Sequence, residues 1–376
     1  MQYRQFGQLD FKASALGFGA MRLPTTDGEI DESTAVEMMR HAIDQGVNYV
    51  DTAYPYHDGK GETCVGRALQ DGYRERVKLA TKMPCWLVET PADFDKFLDE
   101  QLEKLRTDHV DFYLLHALWR ERWMKMQKMN VLEWAEKARA DGRIGHLGFS
   151  FHGTLPLFKE VVEAYDWTMC QIQYNLLNED VQAGTEGLEY AAERDVAVVI
   201  MEPLLGGALA SPPPDVQRIW DEMGANPVDA ALRWLWNKPQ VSVVLSGMST
   251  PEQVQQNLAS ADRSGAGSLS PEERDLVTRV QEAYKGLDSI PCTKCQYCQP
   301  CPNGVNIPRN FELYNQAAVY GNAGLAKSLY NYHMPEGERA SACIACGECE
   351  EKCPQQIEIS DWMGRVHETL VIEENT

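Results

Sequence analysis

The chain has 376 residues and eleven cysteines, and its 56 acidic side chains outnumber its 35 basic ones, giving a formal net charge of −21. Binding to nucleic acid or to an anionic membrane surface needs clustered Lys and Arg, and no such run occurs, so composition and charge exclude both partners. The length fits one α/β barrel of about 250 residues with a small additional module.

The N-terminal segment MQYRQFGQLDFKAS has no apolar stretch typical of a secretion signal, and no run approaches the roughly 18 apolar residues of a membrane span. These features predict a cytoplasmic protein. In that reducing compartment, cysteines more often serve metal or redox chemistry than disulfides. Eight of the eleven fall in two blocks between residues 292 and 353, which favours metal binding.

Short β-branched or apolar segments alternate with amphipathic helical segments through the first 260 residues. Eight strand candidates begin near residues 14, 47, 77, 109, 144, 169, 197 and 241. Eight strand–helix units are typical of a (β/α)8 TIM barrel, a fold of the α/β class. A doubly wound sheet is the alternative, but the GxGxxG fingerprint expected after its first strand is missing.

A Gly/Ser-rich linker, RSGAGSLS, follows Asp262, and a helix then runs to about Tyr284 before the cysteine-rich tail. We therefore expect three regions, with the main boundary near residue 286. They are a barrel over residues 1–264, a linker and connecting helix over 265–290, and a small domain over 291–376.

The two cysteine blocks have the spacing of iron–sulfur ligands. The second block ends Cys-x2-Cys-x2-Cys-x3-Cys-Pro, which places three thiolates on one 4Fe–4S cluster and lends the fourth to a neighbouring cluster. The first block is one residue shorter before its last cysteine. The crossed arrangement predicts Cys292, Cys295, Cys298 and Cys353 on cluster 1, and Cys343, Cys346, Cys349 and Cys301 on cluster 2.

Zinc is the alternative metal, since paired CxxC units also form zinc sites with four cysteine ligands. Three cysteines at successive three-residue spacing before a Cys-Pro pair favour clusters over zinc. The roughly forty residues between the blocks look helical. The tail thus resembles the α-helical ferredoxin domains of respiratory and anaerobic oxidoreductases, and we expect a small, mainly α-helical ferredoxin-like domain there.

Four polar residues lie at or just beyond the ends of consecutive predicted strands, namely Asp51, Tyr56, Lys82 and His116. Each alone has a simpler explanation, such as a helix cap, a surface lysine or a histidine bonded to backbone. Together they suit acid catalysis, because a nearby ammonium lowers the pKa of a tyrosine and a carboxylate keeps that ammonium charged. His116 would then hydrogen-bond a substrate carbonyl.

These four residues, with LGFS at 147–150, QIQYN at 171–175 and TPEQVQQN at 250–257, resemble the aldo-keto reductase superfamily over roughly residues 1–262. With the cysteine-rich tail, the chain resembles the ferredoxin-fused branch. The resemblance implies an NAD(P)H-dependent oxidoreductase that reduces a small aldehyde or ketone to an alcohol by hydride transfer. Tyr56 would donate the proton, supported by Lys82, Asp51 and His116.

The resemblance also implies an extended coenzyme across the barrel mouth. Ser150 and Gln171 would hold the carboxamide, Met201 would stack on the nicotinamide, and residues 203–207 would face the pyrophosphate. Gln256 and Asn257 would lie near adenine. The implied contacts are Gly19, Met21, Asp51, Ser150, Gln171, Met201, Pro203, Leu204, Gly206, Gly247, Ser249, Gln253, Gln256 and Asn257.

Three positions depart from the family pattern. Phe151 replaces an Asn that usually binds the carboxamide, so that contact is lost unless His152 or Asn175 substitutes. Gly247 and Gln253 stand where NADPH-preferring members usually carry Lys and Arg. A 2′-phosphate would miss both cationic partners, so we expect weakened NADP preference and a preference for NADH.

An aromatic and methionine stripe follows the fourth strand and would lie beside His116. Its members, with Trp86 after the third strand, would fill the core, roof the substrate pocket or face the clusters. The stripe comprises Trp119, Trp123, Met124, Met126 and Met129. Cys64, Cys85 and Cys170, outside the two blocks, are expected to be small buried residues.

Nicotinamides transfer electron pairs and clusters transfer single electrons, and the flavin that normally joins them has no signature here, so a bound flavin is conceivable but unsupported. Three hypotheses remain. The first is a carbonyl reductase with structural or sensing clusters. The second is an electron-transfer enzyme whose clusters serve ferredoxin or another partner, which should present a basic patch to this acidic chain. The third is a nucleotide-sensing regulatory protein. The intact tetrad favours the first two.

Overall fold

The computed structural model describes residues 1–372. Its strands are β1 (Tyr3–Gln5), β2 (Lys12–Ser14), β3 (Leu16–Gly19), β4 (Thr25–Thr26), β5 (Glu29–Ile30), β6 (Tyr49–Asp51), β7 (Lys78–Met83), β8 (Val110–Leu118), β9 (Ile144–Phe151), β10 (Met169–Gln173), β11 (Ala197–Met201) and β12 (Val241–Ser246). Eight of these strands close a parallel barrel in the order β3-β6-β7-β8-β9-β10-β11-β12. These eight are the predicted strands, so the barrel prediction is confirmed.

Helices cover the barrel and build the C-terminal region. They are α1 (Glu32–Asp44), α2 (Gly61–Ala68), α3 (Ala92–Leu105), α4 (Arg120–Lys128), α5 (Val131–Ala140), α6 (Leu155–Glu163), α7 (Gly184–Ala192), α8 (Pro214–Asp221), α9 (Pro227–Trp236), α10 (Pro251–Asp262), α11 (Pro271–Lys285), α12 (Ile307–Ala318), α13 (Ala323–Ser328) and α14 (Ile359–Leu370). No helix within residues 1–372 is long and apolar enough to span a bilayer.

Apolar side chains fill the barrel interior, and Phe6 closes its amino end. The hairpin of β1 and β2 carries Phe6, whose ring lies 4.8 Å from that of Phe112 and 5.8 Å from that of Tyr49. All three rings are fully buried. Because this end is packed with aromatic rings, the polar residues of the strands are left to the carboxyl end, where barrel enzymes carry their sites.

The described chain forms two compact units. The first contains Met1–Pro203 and Val228–Ser270, which includes the whole barrel. The second contains Leu204–Pro227 and the residues from Pro271 onward.

Within the second unit, α8 packs against α11, and α12 packs against α13 and α14. Tyr314 of α12 and Trp362 of α14 meet edge to face at 5.4 Å, next to a buried core that includes Phe311, Tyr330 and Met363. The two cysteine blocks lie in loops before α12 and before α14. The C-terminal region is therefore mainly helical, as predicted.

Candidate active site and cysteine-lined pocket

Three of the four predicted catalytic residues contact one another at the carboxyl ends of β6 and β7. The Lys82 ammonium donates to Asp51 Oδ1 at 2.6 Å and to the Thr52 carbonyl oxygen at 2.7 Å. Its Nζ also lies 3.5 Å from the Tyr56 hydroxyl. The His116 ring, near the end of β8, faces the Tyr56 ring edge-on with 6.2 Å between centroids. The structure therefore brings the four residues into one group.

Tyr56 is held by the tight loop that joins β6 to α2. Its N–H donates to the Ala53 carbonyl oxygen at 3.2 Å, and its own carbonyl oxygen accepts from Gly61 N–H at 3.0 Å. A β-carbon at position 61 would come 3.0 Å from that carbonyl oxygen, so glycine allows the close approach. These bonds fix the backbone beneath the tyrosine hydroxyl.

Burial and pairing oppose each other at the Asp51–Lys82 pair. Burial raises the pKa of the Asp51 carboxyl, and the Lys82 charge lowers it. Burial lowers the pKa of the Lys82 ammonium, and the carboxylates of Asp51 and Glu62 raise it. The effect of burial is the larger one at both groups, and the charge of the partner offsets part of it. Loss of either side chain would therefore leave a buried group without its compensating partner.

His116 is electrically neutral at neutral pH. Burial holds its pKa well below the usual range, and the positive charges of Lys82 and Arg122 lower it further. A neutral imidazole carries one N–H donor, which is sufficient for one hydrogen bond to a carbonyl oxygen.

Ser150 and Gln171, the two predicted carboxamide ligands, are paired in register on β9 and β10. Ser150 Oγ accepts from Ala117 N–H at 2.7 Å. Gln171 Oε1 is buried and has no hydrogen-bond partner within residues 1–372. Because a buried amide oxygen normally requires a donor, it fits the NH2 group of a nicotinamide carboxamide.

The position left apolar by Phe151 is filled by aromatic packing. Phe151 is fully buried, with its ring 5.1 Å from Phe158. Of the two possible substitutes, Asn175 Nδ2 donates to the Glu202 carbonyl oxygen at 3.0 Å. His152 Nδ1 lies 3.3 Å from Gln182 Oε1. Both side chains therefore already have partners within the protein.

The remaining predicted coenzyme residues of the first unit lie at strand ends, on the turn before α10 and within α10. Gly19 is paired with Asp51, Met21 lies in the turn after β3, and Met201 ends β11. Asn257 Nδ2 donates to Ser246 Oγ at 2.9 Å.

Gln253 Oε1 accepts from Ser249 N–H at 2.7 Å, and Gln256 is exposed. Sequence reasoning missed Arg22. A β-carbon at Gly247 would come 2.7 Å from Arg22 Cγ, so an arginine stem covers the position where a lysine is usual.

The members of the aromatic and methionine stripe are buried to different degrees. Trp123 and Met126 are fully buried, whereas Met124 is exposed. The Arg122 guanidinium lies 3.5 Å from the Trp119 ring centroid and 4.9 Å from that of Trp86. The Trp86 ring is 5.2 Å from that of His116. The wall beside His116 is therefore aromatic. Cys64, Cys85 and Cys170 are buried, as expected.

Four cysteines of the tail line one pocket that is open in part to solvent. They are Cys292, Cys295, Cys298 and Cys353, the set predicted for cluster 1. Burial raises the pKa of Cys298 to about 12, and the three other thiols add to the effect. The last cysteine of the second block thus lies with the first block. Apolar side chains such as Ile307 and Phe311 complete the wall.

The second predicted set is also partly assembled. Cys349 is buried, and burial, with contributions from Glu350 and from the thiols of Cys343 and Cys301, raises its pKa to about 11. Cys346 is exposed.

Sulfurs that bind one zinc ion would each lie about 2.3 Å from that ion. Within residues 1–372, no group of three or more His, Cys, Asp or Glu side chains is arranged to hold a metal ion. The role of both sets as ligands stays a prediction.

Gly206, predicted to face a pyrophosphate, packs within the second unit against the first cysteine loop. A β-carbon there would come 2.7 Å from Thr293 Cα and from the Thr293 carbonyl oxygen. Thr293 is buried and lines the cysteine pocket. Leu204, also predicted to bind coenzyme, begins this unit, and Pro203 ends the preceding segment of the first unit.

Gly206→Ala should destabilise the second unit more than Gly207→Ala. Both glycines have left-handed φ angles, of +62° and +96°, but a β-carbon at position 207 meets no atom within 4 Å. We expect the shared backbone strain to cost about 1 kcal/mol and the overlap with Thr293 to add about 2 kcal/mol. Denaturant unfolding followed by far-UV circular dichroism measures the difference. Equal stability of the two variants would contradict the contact.

Comparison with known proteins covers both parts of the chain. Residues 15–273 match the model of the aldo/keto reductase family, and residues 291–358 match that of the 4Fe-4S dicluster domain. The chain is 26% identical over 320 residues to the uncharacterized oxidoreductase YqkF of Bacillus subtilis, covering 76% of this chain and 99% of that protein. It is 25% identical over 314 residues to L-galactose dehydrogenase of Arabidopsis thaliana, covering 76% and 96%.

Solved structures give the same result for the barrel. Aldo-keto reductase AKR11C1 from Bacillus halodurans, in its holo form, is 27% identical with a TM-score of 0.63, covering 74% of this chain and 96% of that one. An aldo/keto reductase from Klebsiella pneumoniae in complex with NADP and acetate is 26% identical with a TM-score of 0.59, covering 74% and 95%.

Proposed function

The chain belongs to the aldo/keto reductase family and carries a 4Fe-4S dicluster domain, and from this premise we propose that it reduces an aldehyde or ketone to an alcohol with NAD(P)H. The observation that carries the proposal is the position of the Lys82 ammonium, 2.6 Å from Asp51 and 3.5 Å from the Tyr56 hydroxyl. That arrangement suits a tyrosine that must give up a proton near neutral pH.

The coenzyme, when bound, supplies the hydride. Tyr56 Oη holds the proton that the developing alkoxide receives, and the adjacent ammonium stabilises the phenolate left behind. Asp51 and the Thr52 carbonyl oxygen orient Lys82 through its two short hydrogen bonds. His116, neutral and buried, donates its N–H to the substrate oxygen. These fixed donors surround the site where negative charge develops, which is where preorganised dipoles accelerate a reaction most.

Gln171 and Ser150 are proposed to hold the nicotinamide carboxamide, supported by the buried Gln171 oxygen that lacks a partner within residues 1–372. Gly19, Met21 and Met201 would line the nicotinamide side. Pro203, after β11, would face the pyrophosphate, and the residues opening α10 would take the adenosine. Complexes with NADP among the related structures support a nicotinamide coenzyme for this site.

The lack of a positive charge at Gln253, near the adenosine end of the coenzyme, leads us to propose that NADH is preferred. Wild-type kcat/KM should not be more than about tenfold better with NADPH, because Gln253 offers no positive charge. Gln253→Arg should raise the NADPH-to-NADH ratio of kcat/KM by about tenfold, the value of one charge-assisted hydrogen bond. Gln255→Arg, on an exposed position of the same helix, is the control. A wild-type preference for NADPH above tenfold would contradict the proposal.

We propose that the tail binds two 4Fe–4S clusters through the two crossed cysteine sets. The apolar pocket and its four thiols suit a cluster, whose ligands are cysteine thiolates. We also propose the region boundaries 1–264, 265–290 and 291–376. The family matches over residues 15–273 and 291–358 support a division into a barrel and a cysteine-rich tail. Residues 373–376 lie outside the described chain.

A second candidate function is electron exchange between cluster 2 and a one-electron carrier such as a ferredoxin. It is favoured by the exposure of Cys346 and of Ile344, whose side chain is 66% exposed. Glu348 and Glu351 are exposed beside them, so a basic carrier is expected.

Anaerobic assays with aldehydes, ketones and α-dicarbonyls test the proposed function. Oxidation of NADH that is retained in Cys346→Ser indicates carbonyl reduction independent of cluster 2. Turnover that occurs in the wild type with intact clusters and is lost in Cys346→Ser indicates electron transfer. If no carbonyl compound causes oxidation of NADH or NADPH, the proposed carbonyl reduction is contradicted.

A further inference from the structure

Glu62 is a fully buried carboxylate beside the catalytic group, in the first turn of α2. Its Oε1 accepts from Thr81 Oγ1 at 2.6 Å and from Gln101 Nε2 at 2.5 Å. Its Oε2 has no hydrogen-bond partner within residues 1–372 and lies 3.8 Å from the Lys104 ammonium. A buried charge is expensive, and a neutral amide could serve the same two donors, so hydrogen bonding alone does not explain a carboxylate here.

The hydrogen bonds of the Glu62 side chain reach the strand that carries Lys82, and its chain neighbour Gly61 bonds to the loop that carries Tyr56. Gln101 Nε2 also donates to the Lys82 carbonyl oxygen at 3.1 Å, and Gln101 Oε1 accepts from the Tyr113 hydroxyl at 2.7 Å. Thr81 precedes Lys82 on β7. The residue before Glu62, Gly61, donates to the Tyr56 carbonyl oxygen at 3.0 Å. Glu62 therefore connects the loop of Tyr56 to the strand end of Lys82.

Glu62 also acts on Lys82 through its charge. Burial raises the pKa of Glu62 above its ordinary value, and the hydrogen bonds of Thr81 and Gln101 and the charges of Lys104 and Lys82 offset only part of that rise. In return, Glu62 raises the pKa of Lys82 in addition to the effect of Asp51. The titratable groups that interact with Glu62 are Tyr54 before α2, Lys82 on β7, Lys104 on α3 and Tyr113 on β8, and those around Lys82 are Asp51, Tyr56 and His116.

We propose that Glu62 is a positioning residue that supplies a second negative charge to Lys82 and thereby sets the pH at which the Tyr56–Lys82 pair loses its proton. This inference rests on the proposed carbonyl reduction. Asp51 holds the ammonium directly, and Glu62 acts from behind β7 without touching substrate. The pair thus stays protonated to higher pH than one carboxylate would allow.

Glu62→Gln tests the charge with little change of shape. An anion raises the pKa of a nearby acid, so its removal should move the alkaline limb of the kcat profile for reduction about one pH unit lower. Lys104→Gln removes a cation near the same carboxylate and should move that limb upward. The opposite signs distinguish a charge effect from a loss of stability, which would lower kcat equally at every pH. Lys104→Gln also serves if Glu62→Gln does not fold.

Asp111→Asn is the matched control, since this largely buried carboxylate lies at the start of β8, paired with Lys78 and Arg74. Its alkaline midpoint should equal that of the wild type. The inference is overturned if the wild type reduces carbonyls and Tyr56→Phe abolishes turnover, but neither Glu62→Gln nor Lys104→Gln moves the midpoint by more than about 0.2 unit. Failure of the proposed function is a different result, in which the wild type reduces no carbonyl or Tyr56→Phe matches it.

Discussion

Tyr56→Phe is expected to lower kcat for carbonyl reduction by about 10²–10⁴-fold, the usual value of a positioned general acid. Phenylalanine keeps the ring beside Lys82 Nζ and His116 but removes the hydroxyl that lies 3.5 Å from Lys82 Nζ and that we assign to proton donation. Because the coenzyme site is unchanged, Kd for NADH should be unchanged. Steady-state kinetics and fluorescence titration of NADH measure the two effects.

Tyr54→Phe is the matched control for this substitution. Tyr54 lies two residues earlier in the same loop, but its hydroxyl donates to Glu100 at 3.1 Å. Its loss should leave kcat within about twofold of the wild type, the range of an ordinary surface substitution. A Tyr56→Phe enzyme with wild-type kcat would contradict the assigned role and would favour a regulatory nucleotide-binding protein.

Cys298→Ser is expected to remove one of the two 4Fe–4S clusters that we propose for the tail. Two 4Fe–4S clusters hold about eight iron atoms per chain, so the variant should retain about four. Cys298 lines the pocket with three other thiols, and serine offers no thiolate. Because cluster binding contributes to folding, the thermal stability of the second unit should also fall. Iron and acid-labile sulfide analysis of protein purified without oxygen measures the change.

Cys170→Ala is the control, because this cysteine is buried on β10 of the barrel. It should retain the wild-type iron content. Retention of about eight iron atoms by Cys298→Ser, or bound zinc in place of iron in the wild type, would contradict the ligand assignment.

The barrel was predictable because each of its strands is a short apolar segment between amphipathic helices, as in AVVIM of β11. The hairpin of β1 and β2 and the pair β4 and β5 were not predicted. Their strands are two or three residues long, which is too short for the alternation that marks a strand. Their positions depend on contacts with distant residues, such as those of Phe6 with Phe112.

The grouping of the tetrad was predictable because the parallel strands of a barrel end at one face. Polar residues at those strand ends therefore lie close together. Arg22 and Glu62 were not predicted, whereas Phe151 was recognised as a departure from the family pattern. Arg22 covers Gly247 from 225 residues away in the chain, and Glu62 reaches Lys82 through Gln101. Such contacts depend on side-chain packing between segments, which spacing along the sequence does not encode.

Hydride transfer from the coenzyme to a carbonyl carbon is tested most directly by isotope labelling. The protein is incubated without oxygen with the carbonyl compound that gives the fastest coenzyme oxidation and with NADH carrying two deuterium atoms at nicotinamide C4. We expect one deuterium atom on the former carbonyl carbon of the alcohol, found by mass spectrometry and NMR, and no labelled alcohol with Tyr56→Phe over the same time. An alcohol without deuterium at that carbon would contradict direct hydride transfer in this barrel.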